Sequence, residues 1–194
     1  MNNEEKEQII NLIDNNVDQI HELIKIKIEI WQQHVLFSNL WWLGVALSII
    51  PWVIWIKIRK KESTDRLLYA GLFVMVISLV LDVLGDQLGF WHYRFNVIPI
   101  LPTYAPWDIT LMPVAVMWLI QIKPKFSPIT KAIIFALVTS YLAEPFFEWL
   151  GIYHTLNWKY SYSVPIQIFI YLSAHFLSKR SEFSYLVKET SFKG

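Results

Sequence analysis

The chain has no cysteine among its 194 residues. Disulfides and thiolate chemistry are therefore excluded, and the redox compartment is left open. It has almost no net charge either: 17 Lys and Arg against 16 Asp and Glu leave +1, so nothing points to nucleic acid as a partner. Linkers and low-complexity tracts are scarce. The opening MNNEEKEQ is acidic with no apolar stretch behind it, so no signal peptide is expected there. What the chain has in excess is apolar character. Hydrophobic residues make up 55% and the mean hydropathy is +0.38, where about 45–50% apolar residues is usual in soluble domains. Ten Trp, nine Tyr and twelve Phe suit a membrane interface, where an apolar ring with a polar tip is favoured.

Apolar runs fall at 37–56, 67–85, 107–122, 129–150 and 164–178. A helix needs roughly 20 apolar residues to cross a bilayer. The first, second and fourth runs meet that directly. The third and fifth meet it with flanking aromatics and the snorkelling tips of Lys123, Lys125, Lys179 and Arg180. The expected fold is all-α: a polytopic transmembrane bundle of about five spans over 37–180. Residues 1–36 precede it as an amphipathic helix, and 181–194 follow as a cytoplasmic tail. Basic residues alternate between loops. Lys57, Arg59, Lys60, Lys61 and Arg66 follow the first run, Lys123, Lys125 and Lys131 lie between the third and fourth, and Lys179, Arg180, Lys188 and Lys193 follow the fifth. The opposite loops carry only Arg94 and Lys159. This distribution predicts a cell-membrane protein with its N-terminus outside and its C-terminus in the cytoplasm.

In the first segment Ile10, Ile13, Val17, Ile20, Ile24, Ile28, Trp31 and Val35 recur at spacings of three or four, one stripe of an amphipathic helix. Such a helix lies on the membrane or on the spans, or it forms a short coiled coil that makes a homo-oligomer.

Two stretches share a skeleton. DVLGDQLGFWH at 82–92 and EPFFEWLGIYH at 144–154 match at one fixed offset. Asp82 corresponds to Glu144, Asp86 to Glu148, Leu88 to Leu150, Gly89 to Gly151, Trp91 to Tyr153 and His92 to His154. Each stretch ends a span and is followed by a returning one. The reading is a duplicated helix hairpin, about 67–122 and 129–178, whose copies are related by an axis along the membrane normal with a site where they meet. Acids four apart share a helix face, so Asp82 pairs with Asp86 and Glu144 with Glu148. By helical rise Asp82 lies about 24 Å from Arg66, and Glu144 about 20 Å from Lys131, inside the outer leaflet. Charge at such a depth usually faces the bundle and marks function. Gly89 and Gly151 are expected to end their helices in the left-handed conformation.

Asp108, in APWDITLMP, is either the cap of the third span or a further member of the acid cluster. The loop before it, with Pro99, Pro102 and Pro106, is expected to be a non-helical lid packed on protein. The candidate catalytic residues are thus Asp82, Asp86, Asp108, Glu144 and Glu148. The candidate substrate-binding residues are Trp91, His92, Tyr93, Arg94, Trp107, Tyr153, His154 and Trp158. For most of the aromatics the plainer reading is an interfacial belt. For His92 and His154 it is a loop residue bonded to a neighbour, and for Arg94 a structural counter-ion to one of the acids. Clustered carboxylates in an apolar pocket can hold a proton near neutral pH and act as general acids, and aromatic faces stabilise a cation. The combination suits protonation of an alkene in a prenyl lipid that enters from the bilayer.

Asp82…Gly89-Phe90-Trp91, a Pro-rich loop and Pro106-Trp107-Asp108 over about 67–122 resemble the small membrane-embedded lycopene cyclase domains, which are built from repeated helix units. That pattern places two adjacent acids after the proline, where this chain has Asp108 alone, displaced by Trp107. LGFWHY, PWD, AEPFFEWLGIYH and Trp158-Lys159-Tyr160, over roughly 67–178, are similar to an uncharacterised family of small polytopic membrane proteins from spore-forming bacteria. That resemblance implies fold and location, and no activity. Two other classes stay open. Four carboxylates with two histidines could hold a divalent cation, although the spacing fits no defined template, or relay protons. Alternatively the acids and Arg94 form a structural network in a non-catalytic oligomer. No cofactor is assigned.

Overall fold

The computed structural model describes residues 2–180. The expected cytoplasmic tail at 181–194 lies outside the described residues. Among the described residues there are six helices: α1 (Asn3–His34), α2 (Asn39–Ile58), α3 (Thr64–Gln87), α4 (Trp107–Gln121), α5 (Pro128–Trp149) and α6 (Tyr160–Ser178). The expected runs and these helices coincide to within a turn, and the all-α class holds for all but six residues. Three helices, Asn39–Ile58, Lys61–Gln87 and Pro128–Trp149, are long and apolar enough to cross a membrane; α4 is apolar but shorter.

Helix starts follow local chemistry. Asn2 and Glu5 form a reciprocal capping box for α1, at 2.7 and 2.9 Å. Ser38 caps α2 by accepting from the Trp41 N–H at 3.2 Å, and Ser127 caps α5 with Pro128 in its first turn. On α3 the inner face carries Leu67, Ala70, Val74, Ser78, Asp82 and Gly85, all buried. The outer face carries Leu68, Leu72, Val76, Val80 and Leu84, all exposed. An apolar stripe of that length on the outside of a bundle matches a lipid environment rather than water. Inside, α3, α4, α5 and α6 meet around Val74, Val116, Met117, Ala132, Phe135, Tyr171 and Ala174, and the small residues let the backbones approach closely.

α1 departs from this pattern. None of its residues is buried, so it does not lie along the spans. It is tied at its C-terminal end, where Trp31 Nε1 donates to the Asn96 carbonyl at 2.7 Å and Val35 is buried. Lys131, read as a loop cation, is instead buried within α5. Its ammonium donates to the carbonyls of Leu119, at 2.7 Å, and Ile122, which closes the end of α4.

Both motif stretches end their helices alike. Gly89 and Gly151 have φ of +70° and +75°, the left-handed conformation expected of them. Phe90 N–H reaches back to the Gly85 carbonyl at 2.9 Å and Ile152 N–H to Phe147 at 3.0 Å, while Gly89 N–H bonds Asp86 at 3.0 Å and Gly151 N–H bonds Glu148 at 2.9 Å. This is the Schellman pattern in each case. The chain then enters two short strands, β1 (Trp91–Tyr93) and β2 (Tyr153–Thr155), paired antiparallel with His92 opposite His154. The ribbon was not expected. Three residues are too few to show a period of two, and the partner lies far away in sequence. Flanking bonds match as well: Arg94 N–H to Ile152 at 3.0 Å and Leu156 N–H to Phe90 at 2.9 Å.

Candidate functional site

The ribbon closes one end of a cavity of about 80 Å³, room for roughly half a dozen waters. Its wall includes Asp82, Asp108 and Glu144, with Trp91, Tyr93, Tyr104, Trp107, Tyr153 and Trp158 around them. Three helices each deliver one acid. Asp82 comes from the last turns of α3 and is 6% exposed. Asp108 comes from the π-helical turn Trp107–Leu111 that opens α4, and is 1% exposed. Glu144 follows a second π-helical turn, Thr139–Ala143, inside α5. A π turn inserts a residue into the helical register, and such turns recur at functional sites.

The two aspartates form the centre. Asp82 Oδ1 accepts from Trp91 Nε1 and from the Tyr93 hydroxyl, each at 2.9 Å, and Oδ2 accepts from the Tyr104 N–H at 3.4 Å. Asp108 accepts from the Thr103 hydroxyl at 2.5 Å, and it lines the same cavity as Asp82. Two carboxyl groups brought together in an apolar site can share one proton. Asp108 does not cap α4; the side chain makes no capping bond and points to Thr103. The loop that leads to it packs Thr103, Tyr104 and Ala105 inside the protein, as expected of a lid. Glu144 accepts from the Ser163 hydroxyl at 3.0 Å, and Ser163 in turn accepts from Trp158 Nε1 at 2.9 Å. Burial, and after it the charge of Asp82, pushes the Tyr93 phenol well above its ordinary range, so Tyr93 remains a donor to that carboxylate. Burial also raises Tyr104 and Tyr153.

The remaining expected site residues lie elsewhere. Asp86 lies one turn beyond Asp82 and is not on the cavity wall. It sits at the end of α3 and accepts from the Gln87 side chain at 3.3 Å. Glu148 is a structural tie: it accepts from the Thr155 hydroxyl at 2.9 Å and from the Tyr160 hydroxyl, fastening α5 to β2 and α6. His92 and His154 face each other across the ribbon with ring centroids 5.0 Å apart. Burial first, then the neighbouring His154 and Arg94, lowers the His92 pKa. Arg94 is exposed and counters none of the cavity acids; it borders a second hollow with Lys27 and Trp31. Among the described residues the cavity wall contains no Lys, Arg or His.

Four polar wall residues escaped the sequence reading: Ser78, Tyr104, Ser163 and Gln167. Ser78 lies one turn before Asp82, and Ser163 and Gln167 are one turn apart. A polar residue repeated at four-residue intervals in an apolar helix was the available signal. Tyr104 left no signal, since a loop places it. The Tyr104 hydroxyl, Ser78 Oγ and Gln167 Oε1 are buried and have no hydrogen-bond partner in the protein. Among the described residues no group of three or more His, Asp or Glu is arranged to hold a metal ion.

No family model, curated protein or solved structure matches this chain.

Proposed function

We propose that the protein is a multi-pass enzyme of the cell membrane that uses the Asp82–Asp108 pair as a general acid on an isoprenoid-type lipid. The observation that carries this reading is that two buried carboxyl groups, of Asp82 and Asp108, wall one aromatic box with no cation among its described residues. A proton held there has no ammonium or guanidinium to neutralise the pair, so it is available to a substrate. Transfer from the pair to an alkene carbon makes a C–H bond and leaves a carbocation. The faces of Trp91, Trp107, Tyr153 and Trp158 suit that cation, and the carboxylate left behind can take a proton from a neighbouring carbon. The reaction is an isomerisation or cyclisation that consumes no oxidant. Glu144, held by Ser163, lies beside the same space as a second carboxyl. The cavity admits the reacting end of a lipid, while its tail extends between helices to the bilayer. The resemblance of 67–122 to lycopene cyclase domains agrees in direction, but Asp108 stands alone where that pattern has two adjacent acids.

In this reading α2 to α6 all cross the membrane, with the N-terminus outside, and the two hairpins are copies related by an axis through the His92–His154 pair. Matching glycine geometry and flanking bonds support the duplication. The exposed stripe of Ile10, Ile13, Val17 and Ile20 is the surface through which α1 would make a homo-oligomer.

Native mass spectrometry of the detergent-purified protein tests the site. A bound apolar adduct is expected, and it should be lost in Asp108→Asn. A stoichiometric divalent metal removed by the same change would overturn the reading. So would a protein without adducts that also fails to bind added prenyl lipid.

A further inference from the structure

The acid cavity leaves a set of buried polar side chains unaccounted for. Along α6, Ser163, Gln167, Tyr171 and His175 follow at intervals of four, with Ser178 three further on, and all five are buried. That spacing keeps them on one face. From Ser163 to Ser178 the face runs about 22 Å, most of a hydrocarbon core of about 30 Å. One end of it is the site, where Ser163 donates to Glu144 at 3.0 Å and Gln167 lines the cavity. The other end is His175, whose ring lies parallel to that of Tyr171 with centroids 6.2 Å apart. The charged groups acting on His175 are Lys131 on α5 and Lys179 just past α6.

A buried polar atom is costly unless it is paired. Yet Gln167 Oε1, the Tyr171 hydroxyl and both ring nitrogens of His175 have no partner among the described residues. Neither does Ser140 Oγ, in the π turn of α5 that packs against α6, nor Ser78 Oγ on α3. Each of these residues is at least nine-tenths buried. Successive groups on the face are about 6 Å apart along the axis, close to twice a hydrogen bond of about 2.8 Å, the span of one bridging water.

We propose that this face of α6 is a hydrated proton path joining the Asp82–Asp108 pair to the Lys131–Lys179 end of the bundle. It rests on the reading of that pair as proton-holding. His175 takes a proton on one ring nitrogen and releases one from the other. The Tyr171 hydroxyl accepts and donates in the same way, and the Gln167 amide orients the water that reaches the cavity. Only O–H and N–H bonds exchange, and one proton moves the length of the file to the conjugate base of the acid pair.

The test uses the full-length protein in liposomes that contain a pH-sensitive dye, with potassium and valinomycin on both sides to cancel charge. After a pH jump, the gradient should decay faster than in protein-free vesicles. The excess rate should fall at least about five-fold in Tyr171→Phe, which removes only a hydroxyl, and in Gln167→Leu. A wild-type rate equal to that of protein-free vesicles overturns the path, and so does excess flux that both variants retain. Infrared spectra of the same samples separate this from the underlying reading. A carboxylic-acid C=O band lost in Asp108→Asn is expected. If the band is present without flux, the path alone fails; if the wild type has no such band, the acid pair itself fails.

Discussion

The stretches at 82–92 and 144–154 bend the chain in the same way and then use it differently. In the first, the indole of Trp91 reaches Asp82 directly at 2.9 Å. In the second, Glu144 takes its donor from Ser163 on the returning helix. The long loop after β1 brings in Tyr104 and Asp108, whereas the short connection after β2 brings in Trp158 and Ser163. Gly85 and Phe147 occupy matching places, and each suits only its own side. A Cβ on Gly85 would lie 1.9 Å from the Trp91 ring, while Phe147 fills the space beside Tyr104 and Trp107, with ring centroids 5.7 and 5.6 Å away. A common backbone turn therefore serves two unlike walls, and the asymmetry makes the acid pair.

Exchanging the two walls should have the largest effect. Gly85→Phe would force the Trp91 indole off Asp82, with a cost of about 3 kcal/mol or more from overpacking. Phe147→Ala should cost about 3–5 kcal/mol from the cavity it leaves. Thermal unfolding in detergent would measure both, and tolerance of Gly85→Phe would mean that the Trp91–Asp82 contact is not formed. The second acids come next. Glu148→Gln weakens the tie to Thr155 and Tyr160 and should cost about 1.5–3 kcal/mol. Asp86→Asn, whose carboxyl accepts from the neighbouring Gln87 side chain, should stay within about 0.5 kcal/mol. Equal effects would show that the two positions are alike after all.

Gly89→Ala and Gly151→Ala should each cost about 1 kcal/mol and nearly the same as each other, because both residues share one left-handed conformation and neither would bring a Cβ against a neighbour. A large difference between them would break the equivalence of the two turns. The smallest effect concerns pH. A His92 pKa lowered in the folded state means that unfolding takes up a proton, so the contribution of this residue is complete above about 6.5 and falls as pH drops towards the folded value. His92→Gln should reduce the loss of thermal stability between pH 7.5 and 5.5. A steeper loss in the variant would reverse the sign assigned to His92.

Much of this was legible in the sequence because it depends on local spacing. The apolar runs marked α2 to α6, and Gly89 and Gly151 marked the helix ends. Asp82, Asp108 and Glu144 stood out as acids where lipid would be expected, with Trp91, Tyr93, Trp107, Tyr153 and Trp158 close by. What failed depended on position along a helix or on distant partners. Asp86 and Glu148 each lie one turn beyond a cavity acid, and spacing alone does not show where along the helix the cavity stops. His92 and His154 were drawn away from the acids by a pairing that joins residues far apart in the chain. Arg94 looked like a counter-ion because it was the nearest cation in sequence, but the turn of β1 points it outwards. Tyr104 is set by the path of a loop, which no periodicity describes.

The ribbon between the two hairpins is made of main-chain hydrogen bonds, apart from the rings that happen to touch across it. Any residue except proline can supply such bonds. Heritable change at Trp91, Tyr93 or Tyr153 can therefore reshape the cavity wall while the two halves stay fastened. A proline in either strand, or a side chain at Gly89 or Gly151, would reach the fastening itself. The molecule thus separates the positions where variation reshapes the cavity from those where it loosens the frame around it.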